Sequence, residues 1–312
     1  MLKRFFSLLL SVMLLFSCGS ALADLPKPIE TIPYDQIPEN RDGMYHYLLL
    51  CVDQWNAKPS NLGNSDGIMI LTLDTRAGRI MLTSLIRDAL VVRPDGVIGR
   101  INYIAKNYGP EALCRVISEH LNIRLEKYVL FDFQQIANIV DYMGGVNIEV
   151  TAEEARYLRD YPLDSHQTSP KMNRAGSYLF TGRAAVIYMR IRKAGGGGDF
   201  MRTQRARTVL STLADQCRTM TYDQARALVD SVASNTTMTN MSLEEMVIAM
   251  ERAYSLRSCV IEELRIPQED AVSPISYAGM SVQEIDWVKS REDMADYLEC
   301  GWLIIDDEEY ED

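Results

Sequence analysis

The run His46-Tyr-Leu-Leu-Leu-Cys51-Val-Asp53 is apolar up to its final acid, the pattern of a buried strand. Two more runs, Asp66-Gly-Ile-Met-Ile-Leu-Thr-Leu-Asp74 and Ile80-Met-Leu-Thr-Ser-Leu85, flank Thr75-Arg-Ala-Gly78, which predicts a β-hairpin. Pro110 opens a helix in which Leu113, Val116, Ile117 and Leu121 recur at helical spacing. Glu126 to Phe133 reads as strand and Gln134 to Met143 as helix. Gly144-Gly145 then breaks the chain before the strand Val146-Asn-Ile-Glu-Val150. The second half is mostly helical. Thr181 stands as N-cap of a helix through Tyr188, and Asp199 of one from Phe200 to about Cys217. Helical patterns follow over Tyr222–Val232 and Ser242–Tyr254, then a strand near Val260–Ile266. With no repeat and no second linker, one α/β domain over residues 44–302 is the economical expectation.

The ends differ from this body. Lys3 and Arg4 precede an apolar stretch of 12 residues, Phe5 to Phe16, and then Ser20-Ala21-Leu22-Ala23. That is the order of an export signal, expected over residues 1–23, and the stretch falls short of the roughly 20 residues of a stable membrane span. An uncleaved anchor is one alternative. Lipid attachment at Leu15-Phe16-Ser17-Cys18 is another. All three readings place the protein outside the cytoplasm. Residues 24–43, with Pro26, Pro28, Pro33 and Pro38, read as an extended spacer, and 303–312 as an acidic tail.

Of the 312 residues 47% are hydrophobic, ample for a core, and the formal charge is −11. Losing Lys3 and Arg4 with the signal takes it to −13, against broad binding to nucleic acid or anionic membrane. Six cysteines lack metal-type spacing, and three histidines form no constellation, so neither a zinc site nor a His-based triad is expected. Cys51 and Cys114 sit in apolar patterns typical of buried free thiols. A Cys259–Cys300 bridge stays open.

Against this acidic background seven cations gather between Arg183 and Arg207, with Asp199 as the one acid. Arg190 and Arg192 close one helix, where the macrodipole accounts for them. Arg202 and Arg205 open the next, where the dipole opposes positive charge, so a bound anion is the better explanation. The Gly195–Gly198 run lets the two pairs fold together over a phosphate. Asp53, Asp66 and Asp74 each stand at a predicted strand end, where a lone Asp needs no function. Asp53 and Asp66 are the pair to bring together, since a strand ending at the first can lie beside one starting at the second. Two adjacent carboxylates call for a cation between them, and oxygen-only ligands favour magnesium. In Ser84-Leu-Ile-Arg87-Asp88, Arg87 can reach a phosphate while Asp88 orients it or accepts a proton; an Arg–Asp ion pair at a strand end is the plainer alternative. Asn102 can add an amide hydrogen bond.

Taken in order, strand-x-x-Asp53, Ser65-Asp66, Ser84-Leu-Ile-Arg87-Asp88, Ile101-Asn102, Val140-Asp-Tyr-Met-Gly144-Gly145-Val146, Gly182-Arg-Ala-Ala-Val-Ile-Tyr188-x-Arg190-x-Arg192 and Asp199-Phe-x-Arg202-x-x-Arg205 resemble the LytR-CpsA-Psr family of cell-envelope proteins. The resemblance spans about residues 45–302. It implies a single domain with a central mixed β-sheet flanked by helices. It also implies a phosphotransferase at the outer face of the cytoplasmic membrane, taking a glycopolymer from a polyprenyl-pyrophosphate carrier to a peptidoglycan hydroxyl. By motif match, Asp53 and Asp66 would bind magnesium, while Arg87, Asn102, Arg190, Arg192, Arg202 and Arg205 would hold the pyrophosphate. Asp88, with Arg87, Arg190 and Arg192, would belong to the catalytic set. The lipid would enter an apolar groove between sheet and helices.

The chain departs from the family pattern at Cys51 (usually Gly), Asn64 (Arg), Ile86 (Pro) and Ala206 (Gln). Cys51 and Ile86 read as packing changes. Ala206 removes a polar group from the expected pocket, which implies weakened turnover or another acceptor. Two further readings follow: a non-catalytic binder of polyprenyl phosphate or wall polymer, and a magnesium-dependent pyrophosphohydrolase.

Overall fold

β1 (Met44–Val52) is apolar on both faces because both faces are covered. The computed structural model describes residues 26–160, 174–191, 194, 198–235 and 238–299. The signal segment, the acidic tail and Cys300 lie outside the described residues. In chain order after β1 come β2 (Ser65–Asp74), β3 (Arg79–Leu85), β4 (Leu90–Val92), β5 (Ile98–Arg100), α1 (Ile104–Tyr108), α2 (Pro110–Leu121), β6 (Lys127–Phe131), α3 (Phe133–Tyr142), β7 (Val146–Val150) and α4 (Ala152–Asp160). The second half holds β8 (Gly176–Phe180), α5 (Gly182–Met189), α6 (Gly198–Cys217), α7 (Tyr222–Asn235), β9 (Met238–Thr239), α8 (Leu243–Ser255), β10 (Ile261–Ile266), β11 (Val272–Tyr277), β12 (Met280–Ile285) and α9 (Trp287–Glu299).

Six strands form the central mixed sheet in the order β10-β3-β2-β1-β6-β9. β1 runs antiparallel to β2 and parallel to β6, and β3 runs antiparallel to β2 and parallel to β10. Alternation along β1 divides the core. Leu48, Leu50 and Val52 pack with α2 and α9, while Leu49 and Cys51 turn to the face covered by α3, α5 and α6. Helices on both faces of a mixed sheet are what the resemblance implies.

Local chemistry decides where elements meet. Asp132 caps α3 in a capping box with Gln135, and its second oxygen accepts from the Ala57 amide at 2.7 Å, so one side chain both starts a helix and ties down the loop after β1. Thr181 occupies the N-cap of α5 but makes no capping bond with its hydroxyl; the Gly182 amide donates instead to Asp141 at 2.7 Å. Gly182 is required by close approach, since a Cβ there would lie 1.9 Å from the carbonyl oxygen of Ala137. Residues 26–43, expected as a spacer, lie against the body: Ile37 is buried, the Ile32 amide donates to the Glu119 carbonyl, and Asn40 bonds the backbone of Arg124.

Two histidines are structural. His120 donates from Nδ1 to the Val116 carbonyl at 2.6 Å and accepts at Nε2 from the Val92 amide at 3.1 Å, with its ring against Trp287. His46 shares a 2.7 Å hydrogen bond with Thr72 under β1 and β2. Burial pushes both imidazoles down to about 4. Each is neutral in the fold and binds a proton more readily unfolded, so the stability it contributes is complete above about pH 6.5 and is lost as pH falls towards 4. At about 1.4 kcal/mol per pKa unit each is worth roughly 3 kcal/mol. Thermal melts should therefore fall in midpoint between pH 6.5 and 4.5; a flat profile would contradict buried neutral imidazoles.

Candidate active site

The pairing of β1 with β2 slips by one residue at its end: Cys51 faces Gly67, but Val52 faces Ser65. Asp66 is the extra residue of this bulge. Bulges re-aim a side chain without disturbing the ladder beyond them. The Asp53 amide then bonds the Asn64 carbonyl at 2.8 Å, so both acids lie at the same end of the sheet.

Each acid meets a guanidinium. Arg87, just beyond β3, donates from Nη1 to Oδ1 of Asp66 at 2.6 Å, with side chains only 16% and 10% exposed. Arg190, at the end of α5, places Nη2 3.5 Å from Oδ1 of Asp53 and lies over the Phe133 ring at 4.6 Å. Asp88 bridges Arg87, at 3.4 Å, and Arg100, at 3.2 Å. Asn102 is buried beneath them, its amide bonded to the Arg87 carbonyl at 3.2 Å and its side-chain oxygen without a hydrogen-bond partner among the described residues. Aromatic rings close the rim: Trp55 stacks edge-on against Phe133 and carries Arg183 over its face.

Asp53, Asp66, Arg87, Asp88, Asn102 and Arg190 thus come together. Arg192 and the side chain of Arg202 lie outside the described residues. Arg205, expected to hold phosphate, is 1% exposed, and one N–H on each of its three nitrogens is given to Glu154 or to the backbone carbonyls of Ile191 and Ala194. Arg100, Phe133 and Trp55 went unnoticed in the sequence. Arg100 was in view only as the neighbour of Ile101-Asn102, and nothing marks an aromatic as a rim residue before the fold exists.

The donor set suits a hard dication. Two carboxylates at one end of the sheet, with oxygen donors only, match the usual protein contribution to magnesium, whose remaining ligands are water and phosphate. Among the described residues no group of three or more such ligands gathers.

Next to this charged cluster lies an apolar cavity of about 80 Å³ between the sheet and α3, α5 and α6. Leu49, Cys51, Met69, Phe131, Met189 and Ala206 contribute to its wall. Gly67 and Met189, both in the wall, are the chain neighbours of Asp66 and Arg190, so cavity and charged cluster adjoin. Cys51 fits where a glycine was expected because its cross-strand partner is Gly67, which has no side chain to collide with it. Ala206 is buried in the apolar wall.

The sequence model of the LytR_cpsA_psr family matches residues 23–293. The chain belongs to that family. Similar members include the polyisoprenyl-teichoic acid–peptidoglycan teichoic acid transferase TagV of Bacillus subtilis, 24% identical over 243 residues, which are 76% of this chain and 60% of TagV. Biofilm regulatory protein A of Streptococcus mutans is 23% identical over 224 residues, 68% of this chain and 53% of that protein. The chain thus spans little more than half the length of these two relatives. Among solved family folds, TagT bound to LIIa-WTA superposes with a TM-score of 0.67 at 20% identity, covering 86% of this chain and 94% of TagT. The two chains share the same overall fold.

Proposed function

We propose that this LytR_cpsA_psr protein is an extracytoplasmic phosphotransferase that moves a glycopolymer from a polyprenyl-pyrophosphate carrier to a peptidoglycan hydroxyl. The observation that carries the reading is the shared border between a guanidinium–carboxylate cluster and a wholly apolar cavity, which suits a ligand with a charged diphosphate and a long hydrocarbon tail. That relatives are named teichoic acid transferases supports it. In the transfer, the acceptor hydroxyl oxygen forms a bond to the glycan-bearing phosphorus as its proton is lost to solvent, and the bond from that phosphorus to the bridging oxygen breaks, releasing polyprenyl phosphate.

Such a step needs positioning and charge neutralisation more than covalent help. Arg87 and Arg190 would grip the diphosphate, with Arg192 and Arg202 joining them. Asp88, held between Arg87 and Arg100, orients Arg87. Asn102 would offer its amide from below. Asp53 and Asp66 would hold magnesium, which when bound neutralises phosphate oxygens. An export signal over residues 1–23, as expected from the sequence, would put the site where its substrates are.

The test is transfer from a lipid-linked glycan donor to wall acceptor, with and without magnesium. Covalent attachment supports the reading. Free glycan phosphate alone would mark a pyrophosphohydrolase, and donor binding with no product a binding module. The binder reading rests on Ala206 as a polar group missing from the expected pocket; the residue lines the apolar wall. Ala206→Gln should push an amide into hydrocarbon space, at a cost of about 1–3 kcal/mol. The donor KM should rise about tenfold with kcat little changed. A gain in kcat would restore the polar-pocket reading.

A further inference from the structure

Arg205 and Glu154 form an ion pair far more buried than any pair at the site, with side chains 2% and 5% exposed. Nε of Arg205 donates to Oε1 of Glu154 at 2.7 Å, Nη1 to the Ile191 carbonyl at 2.9 Å, and Nη2 to the Ala194 carbonyl at 2.7 Å. Glu154 is fixed in turn: its Oε2 accepts from the Thr151 amide at 3.0 Å, while its own amide donates to the Thr151 hydroxyl at 3.2 Å. Tyr188 lies near both charges, and Ala155, Ala206 and Val209 on the same two helices are buried in the apolar cluster of this face. The desolvation of two charges offsets much of their mutual attraction, so the Coulomb energy of the pair alone does not account for it. What does is the backbone it holds.

Ile191 follows Arg190 directly, after α5 has ended, and Ala194 stands at the edge of the glycine run. A planar guanidinium offers a rigid fork of donors, so one side chain fixes two carbonyls at a set separation while its third bond anchors it to α4. We propose that Glu154 and Arg205 are positioning residues: they pin the segment that carries Arg190 so that its guanidinium meets Asp53 at the mouth of the site. Neither touches substrate. The proposal rests on the phosphotransferase reading, in which Arg190 grips the diphosphate. It also gives the fourth residue of the Arg202-Thr-Gln-Arg205 stretch a task different from phosphate binding.

The experiment uses the full chain. In a Glu154→Leu/Arg205→Met double variant the pair is replaced by apolar side chains of similar length, and the melting temperature should stay within a few degrees of wild type. Geranyl pyrophosphate, titrated calorimetrically, should bind at least tenfold more weakly. In the transfer assay kcat should fall about fiftyfold with the acceptor KM unchanged, and Glu154→Gln should shift both in the same direction by less. A folded double variant that binds and turns over like wild type overturns the proposal. Should that variant not fold, hydrogen exchange on wild type decides: the amides of Arg190 and Ile191 should be protected without ligand, and fast exchange there overturns the clamp. Failure of the wild type itself to bind geranyl pyrophosphate or to transfer would instead count against the functional reading.

Discussion

Arg190→Ala should lower transfer about a hundredfold to a thousandfold while leaving the melting temperature within a few degrees of wild type. The side chain is 47% exposed at rest, and its partner Asp53 is 34% exposed, so the fold loses little when the pair goes. Catalysis loses much more. A guanidinium about 4 Å from a phosphate oxygen is worth about 4 kcal/mol at an effective dielectric near 20. If that attraction grows as charge gathers on the transferring phosphoryl group, its removal costs up to about three decades in rate. Phe133 beneath the guanidinium keeps it flat and aimed. Arg190→Lys should recover only part of the loss, since an ammonium lacks the fork. A variant with wild-type turnover would show that the cluster around Asp53 is not where the diphosphate binds.

Asp66→Asn should be as damaging to transfer and, unlike the first change, should also weaken the fold. The Arg87–Asp66 pair is nearly closed from solvent, and an amide leaves Arg87 without its charged acceptor at 2.6 Å. Loss of a buried charged hydrogen bond costs about 1–3 kcal/mol. For a domain of this size that lowers the melting temperature by several degrees, at about 2–4 °C per kcal/mol. Turnover should fall about a thousandfold, and the residue of activity should no longer respond to added magnesium. A variant that is slow yet still magnesium-dependent would limit Asp66 to holding Arg87 and leave the ion to other ligands.

Much of this site could be read before any coordinates, for identifiable reasons. An apolar run that stops at an acid, as at Asp53, reports a buried strand reaching the edge of its cover. Arginines at a helix start, as at Arg202 and Arg205, pose an electrostatic problem that a sequence alone exposes. The solution was visible only in part, because burial is not written in the residue type: Arg205 resolves the conflict inward, through Glu154 and two carbonyls, and not toward a ligand. The bulge at Asp66 escaped notice too, since period-two alternation carries no mark of an inserted residue. Short elements were lost for a related reason. β4 and β5 are three residues each, and the β11–β12 hairpin has Pro274 within a strand, so neither offers enough periods to stand out. The helix α9 docks through Trp287 and Met294, a contact made against the far end of the chain. The apolar cavity is a property of spacing between layers, and no local pattern announces it.

Because Asp53 and Asp66 are registered by the β1–β2 ladder, the segment between them is free of the task of aligning them. Its first part is tied down by the Ala57 amide on Asp132 and by the Gln54 carbonyl accepting from Phe133. Its crest, from Lys58 to Asn61, is exposed and closed by a lone bridge between those two residues. That crest is a place to graft: a fluorophore on a Ser60→Cys variant, or a short epitope inserted after Pro59, would sit on the loop that joins the two acids without shifting either carboxylate.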